Sequence, residues 1–327
     1  MTPSNVQLTF ASGLYDRMQA LYTQEVTPKG IDLQFERIEA PRVIFDRMAA
    51  DQAFDLCEMS CSEYISRVAA GDDTFCAIPV FPSRSFRHSF ITINKNSGIE
   101  KPSDLAGKRI GVPLYTMTAA VWIRAHLIHD YQVDLSGVRW VQGSINSPTA
   151  HGEPTVMPMY RPISIEVNNS NNSLSDLLKS QKIDAIIGTT LPNCIKTDPN
   201  IVRLFPDFRN IEKAYFQRTK IFPPMHLVVI KRSTVERHPF VAQSLFTAFV
   251  ESKNLALTRM KNLAALRYML PWLADDLDEL DTIFDGDPWP YGVELNKICI
   301  DTLVTYMVEQ GIIAKPIDWD SLFLNVQ

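Results

Sequence analysis

The stretch GKRIGVPLYTMTAAVWIR, residues 107–124, joins a short apolar segment to a longer apolar one through a polar turn. The pattern predicts a strand over 108–113 and a helix over 118–131. Ligands of open α/β sheets bind beyond the carboxyl ends of the strands, where turns of this kind lie. The stretch therefore predicts an α/β fold and makes the turn at 115–118 a candidate part of a ligand site.

Strands and helices alternate in the same way over the first third of the chain. Pro41 stands at the first position of a predicted helix, where proline is favoured, and Ser60 is a candidate N-cap for the next helix. This alternation predicts a mostly parallel sheet with helices on both faces. The strands are expected over 6–11, 31–38, 54–59, 76–81 and 88–94, and the helices over 16–24, 41–50 and 63–70.

The rest of the chain predicts a second α/β lobe followed by a helical segment. The length of 327 residues exceeds what a single hydrophobic core usually serves. We predict that residues 1–95 and 221–327 form lobe one, that 96–220 are inserted as lobe two, and that a ligand cleft lies between them. The sheet of lobe one should contain both 6–11 and 225–231. The other expected elements are strands over 138–142, 184–188 and 201–204, a helix over 174–181, and nearly continuous helices between Ser233 and Gly311.

The charge balance excludes some classes of partner. The chain carries 32 lysine and arginine residues against 37 aspartate and glutamate residues, a formal net charge of −5. No cluster of basic residues stands out, so we expect neither nucleic acid nor a membrane surface as a partner.

The first thirty residues lack a charged segment followed by an apolar one, which predicts a cytoplasmic protein. The sequence leaves open a homo-oligomer.

Cysteines, histidines and missing motifs limit the chemistry further. Five cysteines (57, 61, 76, 194 and 299) are scattered without a C-x-x-C pair, which predicts buried thiols in a reducing compartment. The sequence contains no dinucleotide-binding, phosphate-binding, zinc-protease or α/β-hydrolase motif. His126 and His129 are interpreted as packing or surface residues. We therefore expect neither a metal nor an organic cofactor.

The stretch FPSRSFRHSF, residues 81–90, is the first candidate binding segment. Arg84, Arg87 and His88 stand at the entrance of an apolar strand, where a cation is costly unless it meets an anion. The planar guanidinium matches a carboxylate. An internal ion pair of either arginine with an acid such as Glu58 explains the pattern equally well, and both interpretations remain open.

The second candidate is the start of the helix predicted at 118–131. Tyr115, Thr116, Met117 and Thr118 lie where the first N–H groups of that helix point outward, which makes a seat for an anion. Thr116 or Thr118 can instead cap the helix. The two roles are compatible, because a capped helix still has unused donors.

Two proline-containing segments complete the set. In IFPPMH, residues 221–226, two prolines fix the approach to a strand and so place His226 at a defined point. A core histidine and a functional one both fit that position. In DGDPWPYG, residues 285–292, Trp289 and Tyr291 stand between prolines. They form either a rigid pocket wall or a packed turn between helices.

At these places the chain resembles the 4,5-dihydroxyphthalate decarboxylase family, which is similar to type II periplasmic binding proteins. The matching segments follow the family order from one end of the chain to the other. They are FDRM (45–48), FDLCEMS (54–60), IPVFPSRSFRHS (78–89), GKRIGVP (107–113), MTAAVWIR (117–124), RLFPDFR (203–209), IFPPMH (221–226), LPWL (270–273) and DPWPYGVE (287–294).

The resemblance implies a non-oxidative decarboxylation of a hydroxylated aromatic or related unsaturated acid without an organic cofactor. A hydroxyl ortho or para to the departing carboxylate stabilises the ring once a general acid has protonated the carboxylate-bearing carbon. Histidine suits that role near neutral pH. We expect His226 to be the acid and His88, its rival, to hold a substrate hydroxyl. We also count Glu58, Ser60 and Tyr15 among the residues that bind the small carboxylic acid.

One segment departs from the family pattern. After Trp140 the family shows a Gly-Gly pair and a Pro-Gly-Arg-x-Glu-Lys run, whereas this chain has GS at 143–144 and PTAHGE at 148–153. Arg161 is a nearby substitute for the missing basic residues. The departure leaves two alternatives open: another lyase or isomerase reaction on the same scaffold, and a binding protein without chemistry.

Overall fold

The computed structural model describes residues 5–148, 151–152 and 154–326. Its strands are β1 (Val6–Ser12), β2 (Ile31–Arg37), β3 (Leu56–Ser60), β4 (Phe75–Arg84), β5 (Ile91–Asn94), β6 (Arg109–Val112), β7 (Arg139–Gln142), β8 (Ile165–Val167), β9 (Ala185–Ile187), β10 (Ile201–Arg203) and β11 (Pro224–Lys231). Its α-helices are α1 (Gln19–Tyr22), α2 (Pro41–Asp51), α3 (Cys61–Ala69), α4 (Thr118–His129), α5 (Leu174–Lys179), α6 (Phe208–Thr219), α7 (Arg232–Arg237), α8 (Val241–Met260), α9 (Leu273–Phe284), α10 (Lys297–Glu309) and α11 (Trp319–Leu322).

The chain divides into two compact units. The first comprises residues 1–84, 224–301 and 317–327, and the second comprises 85–223 and 302–316. The sequence-based division instead ended its first segment at residue 95. The difference arises because β5 pairs with β9 and β10, so that its hydrogen bonds belong to the sheet of the second unit.

The sheet of the first unit has the strand order β2-β1-β3-β11-β4. The prediction that β1 and β11 share one sheet is therefore confirmed. β1 runs parallel to β2 and β3, but β11 enters between β3 and β4 antiparallel to both. The sheet is therefore mixed: β1, β2, β3 and β4 run in one direction, and β11, the strand that returns from the second unit, runs in the opposite direction.

The second sheet is also mixed, because β5 runs opposite to both of its neighbours. Its order is β10-β5-β9-β6-β7-β8. β6 is parallel to β7 and β9, and β7 is parallel to β8, whereas β5 is antiparallel to β9 and β10. β8 lies within residues 143–173, for which the sequence predicted no strand or helix.

Each unit has its own core. In the first, the ring of Phe10 meets the rings of Phe35 and Phe249 edge to face, with centroids 5.0 and 5.2 Å apart. In the second, α4 is buried over almost its whole length, and its buried residues include Arg124 and His126 as well as apolar side chains. Both cores follow from the apolar runs of the sequence.

Several local predictions can be compared with the structure. Pro41 begins α2, and Ser60 occupies the N-cap of α3, as predicted. The Ser60 hydroxyl lies 3.2 Å from the Ser62 hydroxyl instead of capping a backbone N–H. The strand predicted at 88–94 is shorter, because His88–Phe90 form a 3₁₀ turn before β5.

All five cysteines are buried thiols, which confirms the sequence-based interpretation. None of the helices in the described part of the chain is long and apolar enough to cross a membrane.

Candidate active site

A buried carboxylate lies near the end of β3 in the first unit. Glu58 is fully buried, and its Oε1 accepts hydrogen bonds from the Gly13 backbone N–H at 3.3 Å and the Tyr15 hydroxyl at 3.4 Å. A buried charge is costly unless it is paired or hydrogen-bonded. Two neutral donors satisfy one oxygen only, so the other oxygen is available for a cationic or polar partner.

That partner is His226 on the neighbouring strand β11. Its Nδ1 lies 3.7 Å from Glu58 Oε2, and neither atom has a hydrogen-bond partner among the described residues. Strand register places His226 opposite Ser60 on one side and Ser83 on the other. Paired residues of antiparallel strands share a face of the sheet. The face therefore combines an imidazole, a carboxylate and two hydroxyls.

The environment of His226 differs from that of a core histidine. Its ring packs edge to face on Phe45, with centroids 5.0 Å apart, and its side chain stays 18% exposed. A carboxylate near Nδ1 favours the tautomer that carries the proton on that nitrogen. Nε2 is then the atom that can exchange a proton with a ligand.

Tyr15 completes the group beside Glu58. Burial, followed by the charge of Glu58, raises the pKa of the Tyr15 hydroxyl far above its usual range. The hydroxyl is therefore protonated and acts as a donor at neutral pH. The predicted residues Glu58, Ser60, Tyr15 and His226 thus lie together in the first unit.

Arg84, also in the first unit, is held by neutral groups. Its Nη2 donates to the Pro290 carbonyl at 3.1 Å and to the side-chain oxygen of Asn296, and its guanidinium lies 5.0 Å from the centre of the Phe81 ring. Burial lowers its pKa. The sequence analysis considered an ion pair with Glu58, but Glu58 faces His226 instead.

The aromatic residues of the proline-rich turn pack against β4. Trp289 Nε1 donates to the Phe81 carbonyl at 3.0 Å, and the Arg17 guanidinium lies 4.4 Å from the centre of the Trp289 ring. Tyr291 is buried, and burial raises the pKa of its hydroxyl above the usual range. The burial of Tyr291 is typical of a packed turn. Trp289, which makes the contacts with Phe81 and Arg17, is half-buried.

Arg87 belongs to the second unit and faces an acid there. It lies over the Phe90 ring at 5.0 Å, and burial lowers its pKa to about 10, although the charge of Glu212 opposes the shift. Glu212 also accepts the backbone N–H of Ser89 at 3.1 Å. The internal acid near this arginine is therefore Glu212 and not Glu58.

His88, the predicted rival of His226, lies in the interior of the second unit. It is 2% exposed, and its ring stacks on the His126 ring with centroids 4.7 Å apart. Burial, and then the charge of His126, lower its pKa to about 3. Removal from water is the larger of these two causes.

The buried His88 predicts an acid-sensitive fold. The unfolded chain binds this proton near the ordinary pKa of 6.5, whereas the folded chain binds it only near 3. Acidification within that window therefore favours the unfolded state, by roughly 2 kcal/mol between pH 6.5 and 4.5. Urea unfolding at both pH values should show this loss, and His88→Phe should reduce it. An unchanged pH dependence in His88→Phe would contradict the assignment.

His88 and His126 also form a group with Asp130. Their ligand atoms lie within 4.8 Å of one another, the one such group of three found in the described part of the chain. Asp130, however, already accepts His126 Nδ1 at 3.2 Å and Arg218 Nη2 at 2.6 Å. The two rings are nearly parallel, so their in-plane lone pairs do not converge on one point. His129 is separate and pairs with Glu309 at 2.7 Å.

The start of α4 differs from both predicted capping arrangements. Met117 occupies the N-cap and makes no side-chain cap hydrogen bond, so neither Thr116 nor Thr118 is the N-cap residue. Both threonines are buried. Tyr115 donates its backbone N–H to Gln142 Oε1 at 3.0 Å and places its ring against the Arg124 guanidinium.

The sequence analysis did not single out several residues that the structure brings to these sites. Phe45 and Ser83 flank His226, and Arg124 is buried beside Tyr115. Phe45 and Arg124 belong to segments that match the family, but no role was predicted for either residue. Arg161, the proposed substitute, binds the carbonyls of Val308 and Glu309. The departure at 148–153 falls partly outside the described residues, at 149, 150 and 153.

Comparison with solved structures confirms the predicted periplasmic-binding-protein-like fold. The periplasmic aliphatic sulphonate-binding protein SsuA from Escherichia coli matches with a TM-score of 0.54 and 13% identity, covering 99% of this chain and 93% of that one. The desulfurization enzyme DSZB matches with a TM-score of 0.51 and 13% identity, covering 98% and 96%. At such identities the likeness shows the fold alone.

Relatives in sequence are more informative. No family model matches the chain. The 4,5-dihydroxyphthalate decarboxylase of Comamonas testosteroni is 35% identical over 321 residues, which cover 98% of this chain and 97% of the relative. The protein of the same name from Pseudomonas putida is 38% identical over 205 residues, covering 62% and 79%. The chain belongs to the 4,5-dihydroxyphthalate decarboxylase family.

Proposed function

We propose that this protein catalyses the non-oxidative decarboxylation of a hydroxylated aromatic acid, with 4,5-dihydroxyphthalate as the first substrate to test. The relatives named above support the reaction class. One observation carries the assignment of residues: His226, part-exposed, turns Nδ1 toward the buried Glu58 carboxylate at 3.7 Å. This arrangement suits a general acid whose Nε2 delivers the proton.

The proposed reaction balances with one proton. The imidazolium of His226 donates a proton from Nε2 to the ring carbon that bears the carboxylate, and the para hydroxyl of the substrate shares the positive charge. The carbon–carbon bond then breaks, its electron pair returns to the ring, and carbon dioxide leaves. Neutral His226 takes up a proton from solvent, which its partial exposure permits. Glu58 stabilises the charged imidazole before the transfer.

For binding of a substrate carboxylate we propose Arg84 rather than Arg87. β4 pairs with β11 at Arg84 and Pro224, two residues before His226. The groups that act on the Arg84 pKa besides burial are thiols and a phenol, at Cys61, Cys299 and Tyr291. The Arg87 charge, by contrast, already has Glu212 beside it. An arginine that already has a carboxylate nearby gains less from an anionic ligand.

The test supplies carboxyl-¹³C-labelled 4,5-dihydroxyphthalate to the purified protein and follows labelled carbon dioxide and 3,4-dihydroxybenzoate by mass spectrometry. We expect both products in equal amounts. Phthalate, the control, should release none, because it lacks the hydroxyl that stabilises the protonated ring. Saturable binding of 4,5-dihydroxyphthalate and of other hydroxylated acids without carbon dioxide would instead support a binding protein without chemistry.

A further inference from the structure

The second unit contains a cavity that the proposed reaction does not use. Its volume is about 690 Å³, within the range of small-molecule sites. Aromatic and aliphatic side chains supply much of its lining, together with one buried cation. The lining includes Tyr115, Trp140, Ile128, Ile163 and Arg124.

Arg124 is a buried cation, and the described residues supply no anionic partner for it. It is 1% exposed, Nε donates to Gln310 Oε1 at 2.8 Å, and Nη1 donates to the Tyr115 carbonyl at 2.7 Å. Its Nη2 has no hydrogen-bond partner among the described residues. Burial lowers its pKa to about 10, and the other group that acts on it is Tyr115, not a carboxylate.

Such a group is expensive to bury. A charge removed from water costs several kcal/mol unless an opposite charge or further hydrogen bonds offset the loss. The contacts of Arg124 in the described part of the chain are neutral: two hydrogen bonds, the Tyr115 ring at 3.6 Å from the guanidinium carbon and the Trp140 ring at 5.8 Å. An anion that enters the cavity would supply the missing opposite charge.

The other walls define the chemistry of that anion. Tyr115 and Trp140 meet edge to face with centroids 5.3 Å apart, and they offer aromatic surface next to the guanidinium. Glu309, paired with His129 at 2.7 Å, and Arg161, whose Nη2 donates to the carbonyls of Val308 and Glu309, also line the cavity. A second negative charge on the ligand would approach Glu309 and be disfavoured. A planar ligand with a single carboxylate fits the combination best.

We propose that this cavity is a binding site for an aromatic monocarboxylate, held by Arg124 and the rings of Tyr115 and Trp140. The site uses residues other than the group around His226. The product of the reaction proposed above, 3,4-dihydroxybenzoate, is one member of this class. The inference itself rests on the cavity and does not require that reaction.

The test uses 3-nitrobenzoate, because its nitro group quenches tryptophan fluorescence and Trp140 lines the cavity. Replacing Arg124 risks misfolding. A negative charge is therefore introduced at another residue that lines the cavity. Ile128→Glu places a carboxylate in the cavity from a residue that is 37% exposed. Ile298→Glu makes the same change at an exposed helical isoleucine outside it and is the matched control.

We expect saturable quenching of the wild-type protein by 3-nitrobenzoate and much weaker quenching by the neutral 3-nitrobenzamide. Ile128→Glu should weaken binding at least tenfold, Ile298→Glu should leave it unchanged, and Trp140→Phe should remove most of the signal. Equal binding of the amide, or quenching that is unaffected in both Ile128→Glu and Trp140→Phe, would overturn the proposal. These outcomes are independent of decarboxylation and so separate the two proposals.

Discussion

Replacing His226 with alanine is expected to lower kcat by roughly 10²–10⁴-fold, the contribution of a positioned general acid. Binding of the substrate should change little, because the imidazole acts on the ring carbon and not on the carboxylates. The loss follows from the geometry: in the described part of the first unit, this is the ring that stands beside the buried Glu58 carboxylate and stays part-exposed.

The measurement is a steady-state comparison of kcat and KM with 4,5-dihydroxyphthalate. His238→Ala is the matched control, since His238 is a half-buried histidine of the same unit that lies outside the site. It should retain wild-type turnover. Near-normal kcat in His226→Ala would remove this residue from the mechanism and make it a core histidine.

Most strands and helices followed from local patterns, but strand direction did not. The apolar runs at β1, β3 and β11 predicted strands, and their membership in one sheet followed from the inserted second segment. Whether β11 pairs parallel or antiparallel depends on the path of the chain through the other unit, which periodicity does not encode. α6 was missed because it buries little beyond Glu212 and Tyr215, so its apolar stripe is weak.

The residues of the candidate site were easier to predict than their partners. His226 and Glu58 were both named, but an arginine was the partner considered for Glu58 in one of the two open interpretations. Their meeting depends on the register of β3 with β11, which pairs Ser60 with His226 and turns Glu58 to the same face. His88 was placed wrongly for a related reason: α4 brings His126 against it, a contact between segments almost forty residues apart.

The free-energy cost of burying the Arg124 charge could not be predicted from the sequence. An arginine inside an apolar helix can extend its side chain to solvent, and the sequence offers no means to distinguish that case from burial. Only the 1% exposure and the neutral partners show an uncompensated charge.

Glu58→Gln should lower kcat about 10- to 150-fold, with little change in KM. Coupling energies of close charge pairs begin at about 1.5 kcal/mol, and the separation of 3.7 Å places this pair toward the lower values. Each 1.4 kcal/mol corresponds to about tenfold in rate. Glutamine has nearly the same shape and still accepts from Tyr15 and Gly13, so the fold should be retained. What the variant loses is the negative charge that stabilises the His226 imidazolium and holds its Nδ1 proton.

Two further variants separate this role from substrate binding. Glu58→Asp keeps the charge at a longer distance and should recover part of the lost kcat. Tyr15→Phe removes one donor to Glu58 but keeps the charge, so its effect on kcat should be small. The sequence analysis counted Glu58 as a substrate-binding residue, and that role predicts the opposite division of effects. If Glu58→Gln raises KM and leaves kcat unchanged, Glu58 binds the substrate and does not position His226.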